Sequence, residues 1–488
     1  MRIEEDFLGT LQIADDALYG IHSLRASQNF PDSTRFHLEW YQAVGSVKKA
    51  CLLTYRNYAT AVRAKYPGAT LPQPLLEEPV VDALIASAEE MESGQHFDHF
   101  IVPAIQGGAG TSINMNVNEI LANRALIRIG RKPGEYHIID PIEQANIYQS
   151  TNDVIPTSLK VALLKLLQHH ENSVNILRGA FEELEKSSRD HLRIAYTQMQ
   201  EAVPSTYSRL FSTYCDALSR DWWRISKCFE RIKTVNLGGS AIGTGITVPK
   251  FFIREVVPML QQNTGLPVTR AENLQDATCN MDSLVEVHAI LKAHAVNLEK
   301  IVSDLRLLAS DLIGNREIEI PRLQVGSTIM PAKVNPVIPE FVISVAHKVY
   351  SNDQLIGNLS GLGCLDLNAY LPLIGHALIE SIKLLIASDT SLNAHLVKGL
   401  LVHHAKAGEN LLNSPAITTA LLPYIGYNQA AALAREMKSR KVNLLEANRI
   451  LGLLEEQTIL QIIEPTNLLK EGFMLNEILN RNGERSRT

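Results

Sequence analysis

Three stretches in the middle of the chain place an apolar residue every three or four positions. Val174, Leu177, Phe181 and Leu184 form one stripe, Val296, Ile301, Leu305 and Leu308 a second, and Ile374, Leu378, Ile382 and Leu385 a third. That spacing lines up side chains on one face of an α-helix. Several such helices in series predict a bundle over residues 150–400, with each stripe buried against its neighbours. Residues 1–149 mix polar loops with moderate helical stretches and are read as a first, mostly helical domain. Residues 401–488 return to shorter helices, with breaks at Asn413-Ser414-Pro415 and at Pro423, and are read as a small third domain. The polar tail 480–488 is expected to fray. Alternating β-branched positions are scarce, so the fold class is mainly α and any sheet is minor.

Composition narrows the function more than the fold. Of 488 residues, 45% are apolar, enough for a large core. The 46 basic and 52 acidic residues leave a net charge of −6. That balance gives no pull toward nucleic acid or anionic membrane, so an anionic ligand has to be held by local groups. Five scattered cysteines form no CxxC pair. No metal site, redox motif or cofactor is therefore expected, beyond the option of a divalent cation as activator. The cysteine usage fits a reducing compartment. The acidic start lacks a signal-peptide pattern, and no long uncharged apolar run is present. The expected location is the cytoplasm.

Four polar blocks interrupt the apolar pattern. They are Gly107–Glu119 (GGAGTSINMNVNE), Gln149–Ser158 (QSTNDVIPTS), Thr197–Ser205 (TQMQEAVPS) and Gly326–Pro336 (GSTIMPAKVNP). Each reads as a loop of small, hydroxyl and amide residues running directly into a helix, with Pro156, Pro204 and Pro336 at first-turn positions. Helix starts expose unpaired N–H groups and a partial positive charge, and so bind carboxylates. Any one block is equally ordinary as helix capping. A fifth segment, NLGGSAIGTG (Asn236–Gly245), is weak taken alone. GSTIMPAKVNP is the most specific, because it packs two hydroxyls, a lysine and an asparagine into one ordered loop.

That block closely resembles the signature of the aspartase/fumarase superfamily, G-S-S-x-M-P-x-K-x-N, with Thr328 in place of the second serine. GGAGTSINMN, Ser150-Thr151-Asn152-Asp153, Thr197-Gln198-Met199-Gln200-Glu201 and NLGGSAIGTG resemble the family's other site segments, in the family's order. EEDFLGT and Tyr19–Phe30 are similar to its aspartase branch. The resemblance implies three mostly helical domains and a central bundle of five long helices. It also implies a homotetramer with a twenty-helix core, whose active sites are each shared by three subunits.

The implied reaction is anti elimination of ammonia from L-aspartate, reversibly giving fumarate, through an intermediate whose charge spreads into a carboxylate. By resemblance Ser327 is the general base. Thr111, Ser150, Thr151, Asn152, Thr197, Gln198, Thr328, Lys333 and Asn335 bind substrate, and Arg25 and Glu340 support them. Stabilising the developing oxyanion should dominate, at about 3–4 kcal/mol per well-placed donor. Gln198 stands where fumarases carry histidine. It cannot donate a catalytic proton. An ammonium already carries the proton with which it leaves, whereas hydroxide needs an acid. Three departures bear on the substrate: Ala195-Tyr196 where the family has Gly-Arg, Gln144-Ala145-Asn146 where it has His-Val-Asn, and Thr247 where asparagine is common. The rival readings are a fumarase-like hydratase, a lyase for another C4-dicarboxylate adduct, and a catalytically silent accessory homologue.

Overall fold

The computed structural model describes residues 1–478, so the tail 480–488 lies outside the described residues. In chain order the elements are β1 (Arg2–Asp6), β2 (Gly9–Ile13), α1 (Ile21–Asn29), α2 (Leu38–Lys65), α3 (Glu78–Glu92), α4 (Thr111–Arg128) and α5 (Thr151–Ser187). Then come β3 (Leu192–Thr197), β4 (Gln200–Thr206), α6 (Tyr207–Ile232), β5 (Thr234–Val235), α7 (Lys250–Thr264), β6 (Thr269–Arg270), α8 (Asp276–Cys279) and α9 (Asp282–Leu308). The rest are β7 (Ile318–Glu319), α10 (Val337–Ser360), α11 (Leu371–His395), β8 (Leu401–Val402), α12 (His404–Asn413), α13 (Leu422–Arg440), α14 (Leu444–Leu451), α15 (Glu456–Ile463) and α16 (Pro465–Leu468), with three short 3-10 turns between the described elements. The fold is mainly helical, and among the described residues its strands pair two by two.

The residues divide into two compact units. The first takes Met1–Asn172, Trp223–Ala293 and His347–Ile386; the second takes Ser173–Trp222, His294–Ala346 and the chain from Ala387 on. The borders fall inside α5, α6, α9, α10 and α11.

The apolar stripes are buried largely as their spacing predicts. Ile374, Leu378, Ile382 and Leu385 are fully buried, as are Val174, Leu177 and Phe181, while Leu184 is only partly buried. Each fully buried side chain adds about 1.5–3 kcal/mol relative to exposure. The α9 stripe needs correction at one position, since Ile301, Leu305 and Leu308 are buried as expected. Val296 is 49% exposed, whereas Leu291, Ala295, Leu298, Val302 and Leu305 are buried. Those five alternate steps of four and three, the coiled-coil spacing, and Val296 falls off that seam. Leu371–Gly399 is long and apolar enough to cross a membrane, but most of it is buried inside the protein.

Buried polar links fix which helix faces meet within each unit. In the first unit His288 of α9 lies 3.0 Å from Asp353 of α10 and 2.9 Å from Ser381 of α11. In the second, His294 of α9 lies 3.0 Å from both Asp221 of α6 and Asp389 of α11. Ser173 of α5 donates to Asp389 at 2.7 Å. Burial opposes a charge on His294, but the two flanking carboxylates outweigh it and hold its pKa up at about 10. The second unit also carries a cluster in which Ile194 of β3 packs with Leu411, Ile417, Leu421 and Leu433.

Candidate active site

The candidate residues of the first unit gather at two helix starts. Gly108, Ala109 and Gly110 take φ of 87°, 56° and 92°, a left-handed run that turns the chain into α4 at Thr111. No side chain caps this helix; the Thr111 N–H meets the Gly108 carbonyl at 2.9 Å, and Thr111 itself is exposed. A Cβ on Gly110 would come within 3.0 Å of Ile155, so the start of α5 lies close by.

The start of α5 is tied down from several directions. Asp153 accepts the Ser150 N–H at 2.9 Å, and the Ser150 hydroxyl accepts the Asn152 N–H at 3.3 Å. The other oxygen of Asp153 accepts the N–H groups of Gly238 at 3.2 Å and Ser240 at 3.0 Å. Asp153 thereby joins the Ser150-Thr151-Asn152 start to the glycine-rich segment. Burial pushes its carboxyl up to about 6, against the pull of these three N–H donors. Asn152 donates to the Ala241 carbonyl at 2.8 Å. In the same segment Gly243 admits no side chain, since a Cβ would meet Gln275 N at 2.3 Å.

Pro156 is not a first-turn residue. It sits inside α5 and removes the N–H that the Asn152 carbonyl would otherwise receive. Asn236 supplies the missing donor at 2.8 Å and also donates to Thr278 at 2.9 Å.

Behind these groups lies Lys48 of α2, fully buried. Its ammonium donates to Asn146 Oδ1 at 2.9 Å and Gln149 Oε1 at 2.8 Å. Burial brings its pKa down to about 7, with Cys51 and Asp153 pulling the other way. Asn114 of α4 donates to Asn146 Oδ1 at 3.1 Å and to Thr151 Oγ1 at 3.3 Å. A cleft of about 890 Å³ in this unit is lined by Asn146, Gln149, Ser240 and Thr247, among others.

In the second unit the third polar block departs from its expected form. It is not a helix start but a β-hairpin, β3–β4, with Thr197 paired to Gln200 and Pro204 inside β4. Gln198 and Met199 form the two-residue turn at φ of 51° and 59°. Such a turn favours asparagine and glycine, so this pair is strained and fully presented at the tip. Below the tip, Asn315 donates to the Tyr196 hydroxyl at 3.1 Å. Ser414 donates to Glu201 at 2.6 Å.

The fourth block is a closed loop. The Gly326 N–H meets the Lys333 carbonyl at 2.8 Å, and Asn335 donates to the Gly326 carbonyl at 2.8 Å. A Cβ on Gly326 would lie 2.8 Å from Asn335 N, so the neck requires glycine. Ser327 Oγ accepts the N–H groups of Ile329 at 3.2 Å and Met330 at 2.9 Å. Thr328 and Lys333 are exposed, and Lys333 has no ion pair among the described residues. Pro336 precedes α10 directly. Glu340 lies in the first turn of α10, 3.7 Å from Arg306.

Arg25 is engaged within the first unit. Its guanidinium holds Asp6 at 2.9 Å through two nitrogens and the Gly9 carbonyl at 2.8 Å, clipping the β1–β2 hairpin to α1. Apart from Glu340, the candidate set holds no carboxylate or imidazole. Its hydroxyls, amides and lysine suit a carboxylate ligand rather than a metal ion.

A family model described as a lyase matches residues 9–351. The chain belongs to the lyase family. A second model, the fumarase C C-terminus, matches residues 417–470. This lyase is 36% identical to the aspartate ammonia-lyase of Bacillus subtilis (strain 168), across 98% of each chain. It is also 36% identical to that of Escherichia coli (strain K12), across 97% of each. Among solved structures it resembles a fumarate lyase:delta crystallin from Brucella melitensis bound to cobalt. There the TM-score is 0.88 and the identity 34%, over 96% of this chain and 100% of that one. It also resembles a class II fumarase from Schistosoma mansoni, with a TM-score of 0.83 and 26% identity over 95% of this chain and 98% of that one.

The structure places the hydroxyl and amide candidates on two helix starts, a hairpin tip and a closed loop, and sets further polar residues behind those of the first unit. Asn114, Asn146, Gln149 and Asn236 fall in or beside the segments named from the sequence but were given no role there, and Lys48 lies outside them all. Lys48 did leave a signal. It shares the buried face of α2 with Val44, Val47, Cys51 and Tyr55, where a lysine is out of place.

Proposed function

We propose that this lyase eliminates ammonia from L-aspartate reversibly, giving fumarate. The observation that carries the reading is Gln198 at the exposed turn of β3–β4. It is a residue able to orient an ammonium and unable to protonate a departing hydroxide. The aspartate ammonia-lyases matched over nearly their whole length support it.

In this reading Ser327 Oγ takes the proton from the carbon beside one carboxylate. The N–H groups of Ile329 and Met330 already point at that oxygen and stabilise its alkoxide. The electron pair moves into the carboxylate as the doubly charged aci form. It then returns to make the C=C bond as the C–N bond breaks and neutral ammonia leaves. Thr111, Ser150, Thr151, Thr197 and Thr328, with the N–H groups at the helix starts, hold the developing charge. Lys333 pairs with the second carboxylate, and Asn152 and Asn335 orient the substrate. Arg25 supports the site by fixing the N-terminal hairpin, and Glu340 by facing Arg306. No cofactor is needed for these steps. We place the protein in the cytoplasm, in three domains bounded at 149 and 400, as a homotetramer with each site shared by three subunits.

The purified protein should form fumarate from L-aspartate, read by ultraviolet absorbance, and much less from L-malate. The reverse preference would replace this reading with a fumarase-like hydratase, for which the likeness to the Schistosoma mansoni fumarase speaks.

A further inference from the structure

We infer that Lys48 is a positioning residue which, through two amide side chains, turns the Thr151 hydroxyl proton outward toward a carboxylate ligand. This rests on the proposed function, because it gives Thr151 its donor role toward a dicarboxylate. The direction of each hydrogen bond follows from one fixed point. Lys48 Nζ donates at 2.9 and 2.8 Å to the oxygens of Asn146 and Gln149; as an ammonium it can only donate, and as a neutral amine its two N–H groups still serve both oxygens. With its oxygen toward Lys48, Asn146 presents that same oxygen to Asn114 at 3.1 Å. Asn114 must then offer its nitrogen, and the same nitrogen reaches Thr151 Oγ1 at 3.3 Å. Thr151 is thus an acceptor on its inner side, and its own proton is free to point away.

Two further observations fit this chain of donors. The Asn114 oxygen is buried without a partner among the described residues, as expected if its orientation is dictated from Lys48 and not chosen by its own surroundings. Asn146 also donates its nitrogen to the Gln149 carbonyl at 3.2 Å, which fixes the segment immediately before Ser150. Replacing Lys48 by an apolar residue would free both amides to rotate. The Thr151 proton could then turn inward, and a carboxylate would lose its donor without any ligand contact having been removed.

The test is a double-mutant cycle on the full-length protein, read as fumarate affinity by titration calorimetry. Lys48→Met and Thr151→Val should each weaken binding roughly tenfold, the worth of about one directed hydrogen bond. The double variant should be no weaker than Thr151→Val alone. A purely structural role for Lys48 predicts independent, multiplying losses, about a hundredfold in the double variant, and that result overturns the inference. Should Lys48→Met fail to fold, Asn114→Leu breaks the relay one link further on, and its cycle with Thr151→Val carries the same two outcomes. Wild-type turnover of L-aspartate is measured alongside. Fumarate binding without turnover rejects the proposed function alone. Multiplying losses with turnover intact reject the relay alone. A wild-type protein that binds no fumarate rejects both.

Discussion

The two halves of the candidate chemistry are held in opposite ways. In the first unit, Ser150, Thr151 and Asn152 stand on a helix start anchored by Asp153, Asn236, Asn114 and Lys48, nearly all buried. In the second, Ser327, Thr328 and Lys333 stand on a loop closed only at its neck, with Val325 82% and Ile329 85% exposed. The first arrangement suits groups that hold charge, since donors aimed beforehand do not reorganise during reaction. The second suits a base that has to reach its proton and then let product go, because loosely packed loops open at little cost.

The largest expected effect on turnover lies on the loop. Ser327→Ala should lower kcat by about 10³-fold while leaving the urea midpoint unmoved, as loss of a general base without packing partners. Full turnover in that variant would remove the loop from the chemistry. The anchored side should behave in reverse. Asp153→Asn sets an amide N–H against one or more of the three backbone donors and should cost about 3 kcal/mol in urea unfolding. A loss no larger than that of a surface change would erase the contrast.

The stem of the second unit offers a test by pH. His294 has a folded pKa raised to about 10 from 6.5, so its stabilisation is complete below pH 6.5 and is lost as pH rises through 10. Wild-type stability should fall by about 5 kcal/mol over that window, and His294→Gln should show a flatter profile. An equal fall in both proteins would show that the pair of carboxylates is not what holds the proton. The smallest effect should come from Ile329→Ser, within about 0.5 kcal/mol in unfolding, because that side chain is solvated already. A larger loss would mean the loop is covered by something in the working assembly.

The helices were legible because burial and period coincide in stripes such as Ile374, Leu378, Ile382 and Leu385. Val296 misled because apolar residues also occur on exposed faces. The third polar block misled for a different reason. A hairpin turn made of Gln198-Met199 carries none of the glycine or asparagine that normally marks one, and Pro204 reads locally as a helix start. The Ser327 loop was visible through its unusual composition and its family resemblance. Lys48 was not, because its partners Asn146 and Gln149 lie 98 and 101 positions away, and only the folded chain shows which of them a buried lysine meets.

Pro156 leaves α5 one backbone link short in its opening turns, and the donor that completes it arrives 84 residues later in the chain. A nascent helix at 151–156 is therefore incomplete on its own and matures only when the stretch around Asn236 docks. In hydrogen-exchange kinetics during refolding, the amides at the head of this helix should gain protection together with that distant segment, and later than those of its middle turns.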